Sequence, residues 1–395
     1  MPAWINKASI CILAWCIYDF QGLLLPKGTL FSQLLLIVLI LVSLYYMFVA
    51  NTRYKLPKYF WGLNVLIFMF TIYGVYLMIG YNPYDYSKQV ESSSYLKGIY
   101  ISLLPIYTFF VFFKEKLISM RMIYFWVVVF FALATGEYYD NQKQMLVAAM
   151  LSGSKIEEFT NNAGYVFLAL MPACTFFYKK SIIQYIGLAY CMIFLFMGMK
   201  RGALLIGIIC LLWILWNNLK VSNMKKKIAI MFFSLVLCIM GNQFVEKKME
   251  NSVYFQKRVD DTMEGNTSRR DDLYMTFANY YLKDASPMQF LFGSGANATL
   301  KVSYNYAHND WLEIAVNQGL LGLMVYLFYW FLFLRECFSK FYTRHAKLAL
   351  QLVFIIYFMQ TIFSMSYGAM VLFASLVLGY SLSQEVENEQ IVYSN

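Results

Sequence analysis

Few side chains in this sequence are equipped for chemistry, and they fall close together. There are two histidines in 395 residues. His345 lies in a basic stretch, Tyr342-Thr-Arg-His-Ala-Lys, where a solvated surface residue is the plain reading. His308 lies in Tyr306-Ala-His-Asn-Asp-Trp-Leu-Glu, at the mouth of a long apolar run. Asn309 or Asp310 can cap the helix that begins there, and Asp310 and Glu313 suit the positive end of its dipole. Capping accounts for the carboxylates and leaves the histidine unexplained. An imidazole, with a pKa of about 6.5, is the side chain best placed to take a proton from a hydroxyl at neutral pH.

Two basic motifs accompany it. Met199-Lys200-Arg201-Gly202-Ala203 is a cationic pair wedged between two apolar runs. A tight turn with snorkelling cations is its simplest account. Ionisable residues at that depth also mark functional sites, and arginine holds phosphate oxygens in a bidentate fork while lysine adds a point charge. The second motif, Ser268-Arg269-Arg270-Asp271-Asp272, reads alone as a solvated charge run. An amphipathic stretch from Tyr274 to Leu282 follows it, then Phe292-Gly293-Ser294-Gly295. With no strand before it, this Gly-x-Gly reads as a turn. No Walker loop and no metal triad occurs in the sequence. The seven cysteines form no Cys-x-x-Cys pair, so no metal or cofactor is expected.

The elements that position these residues follow from composition. Apolar residues make up 60% of the chain, and charged residues 14%, against about 25% in ordinary soluble domains. A soluble globule, a disordered chain and a disulfide scaffold are excluded. Apolar runs appear near 8–25, 29–50, 59–81, 98–113, 122–136, 164–178, 182–199, 202–217, 228–244, 311–334, 348–366 and 368–383. They predict an all-α polytopic bundle of about twelve spans, one integral membrane domain over 1–395, with an uncleaved first span. A β-barrel would show short alternating segments instead. Seventeen basic residues fall in one set of short loops and seven in the other, which predicts cytoplasmic termini. The net charge of +10 is then a topology signal and not a nucleic-acid footprint. Residues 245–308 become one large extracytoplasmic loop between the ninth and tenth spans. Residues 137–163 form a smaller outer loop whose Met145-Leu-Val-Ala-Ala-Met-Leu run is too short to span. Residues 384–395 form a short cytoplasmic tail.

With the spans in place, the motifs acquire a resemblance. His308-Asn309, nine residues, then Gly319-Leu-Leu-Gly322 resembles the His-Asn-x9-Gly-x-x-Gly signature of the O-antigen ligase superfamily, which includes surface-polysaccharide polymerases. Lys200-Arg201-Gly202-Ala203-Leu204 resembles that family's Ser-Arg-Gly-Ala-Leu motif, with Lys in place of Ser. Ser268-Arg269-Arg270 followed by Phe290-Leu-Phe-Gly-x-Gly resembles its loop pattern, and either arginine can be the aligned one. The resemblance implies a GT-C-like bundle in the bacterial inner membrane, its active site facing the periplasm or exterior. It implies a metal-independent glycosyltransferase taking a glycan from undecaprenyl diphosphate. The acceptor would be a hydroxyl on another glycan, for a repeat-unit polymerase, or on lipid A–core, for a ligase. A chain-length regulator is a further candidate partner, alongside membrane lipid. It implies that Arg201 and one of Arg269 and Arg270 bind the diphosphate with Lys200 in support, and that His308 deprotonates or orients the acceptor hydroxyl. Asn309 joins the substrate-binding set, and Asp310, Glu313, Gly319 and Gly322 cap or support the helix.

A transporter without chemistry competes with this reading. It would carry internal repeats with broken helices at matching places, and none is visible in the sequence. A structural membrane scaffold leaves His308 and the arginines without a purpose.

Overall fold

The computed structural model describes residues 6–79, 92–152, 161–198, 200–251, 256, 270–303, 305–364 and 372–384. Every regular element among them is a helix, as the composition requires. Along the chain run α1 (Lys7–Asp19), α2 (Leu30–Arg53), α3 (Lys58–Ile79), α4 (Ser92–Leu103), α5 (Pro105–Lys114) and α6 (Met120–Ser152). Next come α7 (Gly164–Leu170), a 3-10 segment (Met171–Phe177), α8 (Ser181–Gly198), α9 (Arg201–Val221) and α10 (Met224–Asn251). The last group is α11 (Arg270–Asn279), a π turn (Tyr280–Asp284), α12 (Pro287–Phe292), α13 (Thr299–Ser303), α14 (Asp310–Phe338), α15 (Arg344–Phe363) and α16 (Leu372–Ser383).

Eight stretches of these helices are long and apolar enough to cross a membrane, and Gly164–Phe177 and Leu372–Ser383 are shorter apolar helices. The chain is a polytopic helical membrane protein. These eight are what the described residues hold, where the whole sequence predicts about twelve spans, and one of the expected spans is short. The 13 residues of α1 rise about 20 Å, less than the ~30 Å hydrocarbon layer. Two boundaries also move. Residues 137–152, expected in a loop, continue α6 into a single helix of 33 residues. Likewise α10 runs on to Asn251, into the segment expected to be a loop.

The helices group into two compact units, one of residues 1–32 and 118–267, the other of 33–117 and 268–395. In the first unit the core is aromatic. Phe167 of α7 stacks on Phe194 of α8 with centroids 4.3 Å apart. Asn161 is buried and donates to the Tyr138 carbonyl at 3.0 Å, tying the approach to α7 onto α6. In the second unit α14 packs along α3 and α15, and α16 packs on α5. Tyr59, Tyr329 and Phe333 meet in its core, the Tyr59 and Phe333 rings 4.8 Å apart. A Cβ on Gly379 would stand 2.6 Å from Phe109 Cβ and 2.8 Å from Phe110 N. Only glycine permits that approach of α16 to α5, the small-residue packing that drives helix association in lipid.

Candidate active site

The site is built on the N-terminal end of α14. Asn309 is the N-cap residue, extended at φ −152 and ψ 118. Its Oδ1 accepts from the amides of Trp311 at 3.0 Å and Leu312 at 3.1 Å. Of the two capping candidates, the structure uses Asn309. Asp310 and Glu313 are fully buried instead. Asp310 accepts from the Tyr326 hydroxyl at 2.6 Å, 16 residues further along α14.

His308 precedes the cap and adopts φ +51, in the left-handed region. That conformation costs about 1–2 kcal/mol in a residue with a Cβ, so the surroundings must hold it. The side chain is exposed. Tyr274, on α11, brings its hydroxyl to the His308 carbonyl at 3.4 Å and to the Ile362 carbonyl at 3.2 Å. Asn309 Nδ2 donates to the same Ile362 carbonyl at 3.4 Å. The Arg270 and Asn309 side chains both lie against the Tyr274 hydroxyl. Burial raises the Tyr274 phenol above its ordinary range, and the Arg270 charge opposes that shift. An exposed guanidinium, a phenol and an imidazole-bearing turn thus share one corner of the second unit. Arg269 lies outside the described residues, so the structure places Arg270 alone of the pair.

Phe277, Tyr281, Ala298 and Ala307, all within the expected outer segment, pack against α14. Phe277, Tyr281, Ala298, Ala307, Ala315 and Val316 form a small buried core. Tyr281 stacks on Phe290 at 4.9 Å and donates to its carbonyl at 3.0 Å. Ser286 caps α12 with Gln289 returning the bond, and Pro287 follows at the position where its missing amide costs nothing.

The Gly-x-Gly stretch is a turn, as expected, and it has a partner. At Gly319 helix α14 breaks, with φ +69 and ψ −161. The break frees carbonyls within a helix long and apolar enough to cross a membrane, where each must find a donor. Ser294 N–H takes the Val316 carbonyl at 2.8 Å, and Gly295 N–H takes the Asn317 carbonyl at 3.0 Å. The Tyr73 hydroxyl, from α3, donates to the Phe292 carbonyl and lies 3.3 Å from the Gln318 carbonyl. A Cβ on Gly293 would stand 2.2 Å from the Asn317 oxygen, and one on Gly319 would stand 2.4 Å from the Gly293 nitrogen. The two glycines interlock. Gly322, one turn on, sits against the Gln318 side chain.

Lys200 and Arg201 belong to the first unit. Lys200 is the N-cap residue of α9 and contributes no side-chain cap, and Arg201 opens the helix. Both are partly exposed. Two cations at the start of a helix suit an anion.

Tyr274, Tyr73, Thr299 and Asn317 carry no motif, and sequence reasoning passed over them. Tyr274 follows Arg270 by four residues and Asn317 follows Glu313 by four, the spacing of helical neighbours. That spacing was the one signal available for them. Among the described residues no group of three or more His, Cys, Asp or Glu side chains could hold a metal.

Fold and site together define a polytopic helical membrane protein with an arginine- and histidine-bearing corner outside its spans. Residues 186–327 match the family model described as O-antigen ligase. The match bears out the resemblance seen in the motifs over this segment, a little over a third of the chain. It covers Lys200, Arg201, Arg269, Arg270 and the whole run from His308 to Gly322. No curated protein matches the chain.

Proposed function

We propose that this protein is a surface-polysaccharide glycosyltransferase of the inner membrane. It transfers a glycan from undecaprenyl diphosphate to a hydroxyl of an acceptor glycan, without a metal. The observation that carries the reading is the corner at the start of α14. There an exposed His308 on a fixed left-handed turn lies one tyrosine away from the Arg270 guanidinium. The O-antigen ligase family, whose members are membrane glycosyltransferases, supports the class.

The chemistry follows from those groups. The acceptor oxygen bonds to the anomeric carbon as the bond from that carbon to the diphosphate oxygen breaks. Negative charge develops on the leaving undecaprenyl diphosphate. Fixed guanidinium groups aimed at that charge stabilise it where it forms, each worth about 10²–10³ in rate by analogy with single oxyanion-hole donors. His308 takes the proton that the acceptor hydroxyl releases, a contribution of about 10²–10⁴ for a positioned base. Arg270 serves the diphosphate. The same role for Lys200 and Arg201 rests on their motif. The charge asymmetry of the loops supports a periplasmic or outer side for this chemistry.

Within the class, repeat-unit polymerisation is the first reading and ligation to lipid A–core the second. Purified protein in nanodiscs, given a lipid-linked repeat unit with and without lipid A–core, separates them. A ladder from the repeat unit alone, lost in His308→Ala, is the expected result. A single transfer that needs lipid A–core establishes the ligase. No product from the native protein on either acceptor would favour a transporter.

A further inference from the structure

Glu313 is the residue the proposed chemistry leaves without a task. It is fully buried, although a buried carboxylate is costly to keep. Capping does not account for it, because the cap is Asn309 and the capping-box position falls on Leu312. Its carboxylate instead gathers three donors. Oε2 accepts from the Ala307 amide at 2.8 Å. Oε1 accepts from the Thr299 hydroxyl at 2.5 Å and from Asn317 Nδ2 at 3.0 Å. Asn317 is oriented in turn, since its Oδ1 accepts from the Thr299 amide at 3.2 Å.

Ala307 is itself fully buried and immediately precedes His308. The left-handed turn at His308 is therefore fixed on both sides. Glu313 holds the amide before it, and the Asn309 cap holds the chain after it. We infer that Glu313 is a positioning residue for His308, setting the turn that presents the imidazole through its bond to the Ala307 amide. The inference rests on the proposed role of His308.

Glutamine fills the same volume but cannot replace the carboxylate. With its nitrogen at the Oε2 place it faces the Ala307 N–H. With its nitrogen at the Oε1 place it faces Asn317 Nδ2, which cannot turn without losing Thr299. Either way a donor faces a donor. A misplacement near 1 Å costs about 10²-fold in rate, so Glu313→Gln should lower kcat by roughly 10- to 100-fold with the donor KM little changed. Thr299→Val serves as the comparison. It removes a bond to the same carboxylate and leaves the Ala307 contact in place.

The experiment uses the full chain in nanodiscs. It measures kcat and KM, the thermal midpoint, and hydrogen exchange of the peptide holding the Ala307 amide. The expected result is faster exchange at Ala307 and a kcat loss in Glu313→Gln that exceeds the loss in Thr299→Val at matched midpoints. Equal losses in the two variants, tracking their midpoints, would overturn the inference by making the carboxylate a general support. So would native kcat in Glu313→Gln alongside an inactive His308→Ala. Native activity in His308→Ala would sink the proposed role of that histidine and the inference with it, which is a distinct outcome.

Discussion

Replacing Gly319 with alanine tests how the site is held together. The residue adopts φ +69 and ψ −161, a region closed to side chains. A Cβ there would stand 2.4 Å from Gly293 N and 2.7 Å from both C and O of Leu291. These are backbone atoms, so no side chain can swing away. Backbone strain of about 1–3 kcal/mol adds to an overpacking cost of about 1–3 kcal/mol. The total is roughly 2–6 kcal/mol, which at about 2–4 °C per kcal/mol lowers the thermal midpoint by roughly 4–24 °C. Relief requires the Gly293–Gly295 turn to leave α14, giving up the Ser294 and Gly295 bonds to Val316 and Asn317. The assay is thermal unfolding of purified protein in detergent, read by intrinsic fluorescence. Two other glycines calibrate it. A Cβ on Gly98, within a helix, meets nothing within 4 Å, so Gly98→Ala should stabilise by about 0.4–1 kcal/mol. Gly28 has φ +75 and equally open space, so Gly28→Ala isolates the backbone term of about 1–2 kcal/mol. A Gly319→Ala midpoint within about 1 °C of native, or no lower than that of Gly28→Ala, would refute the interlock.

Other consequences follow from the same geometry. Arg270 is exposed, so Arg270→Ala should change stability by under about 0.5 kcal/mol while turnover falls about 10²-fold; normal glycan output at equal protein level would remove it from the diphosphate. Arg201→Ala should likewise damage turnover far more than membrane insertion, checked by glycan output against protein level. Tyr326→Phe deprives the buried Asp310 of a donor and should cost about 1–3 kcal/mol, measured as a lowered thermal midpoint. The raised Tyr274 phenol favours the protonated form in the folded chain, so its contribution is complete below about pH 10, its ordinary value, and is lost as pH rises through the raised one. Midpoints measured from pH 8 upward should therefore decline less steeply above about pH 10 in Tyr274→Phe than in the native protein.

The legible part of the site was the part written in consecutive residues. His308-Asn309 and Gly319 stand out because a lone histidine and a glycine inside an apolar run each break the local pattern. Lys200-Arg201 stands out for the same reason. Glu313 was visible as an acidic residue near a helix start, and that place suggested capping. Its actual partners, Thr299 and Ala307, come from a separate segment that only folding brings against α14. Tyr274 was hidden among 33 tyrosines.

By itself the sequence determined the class of structure. A chain that is 60% apolar must satisfy its backbone within helices when it enters lipid. It also determined where helix α14 starts, because the asparagine cap acts on amides two and three residues away. Tertiary structure decided what stretches of apolar sequence leave open. It set how far α6 and α10 continue past their apolar runs, because a helix ends at its caps and packing and not where hydropathy falls. It decided that the two glycine motifs, 26 residues apart between Gly293 and Gly319, are one interlocked feature. It decided that a buried carboxylate holds the turn before His308. Hydrogen bonds between distant segments leave no period in a sequence, since their donors and acceptors are chosen by the final packing.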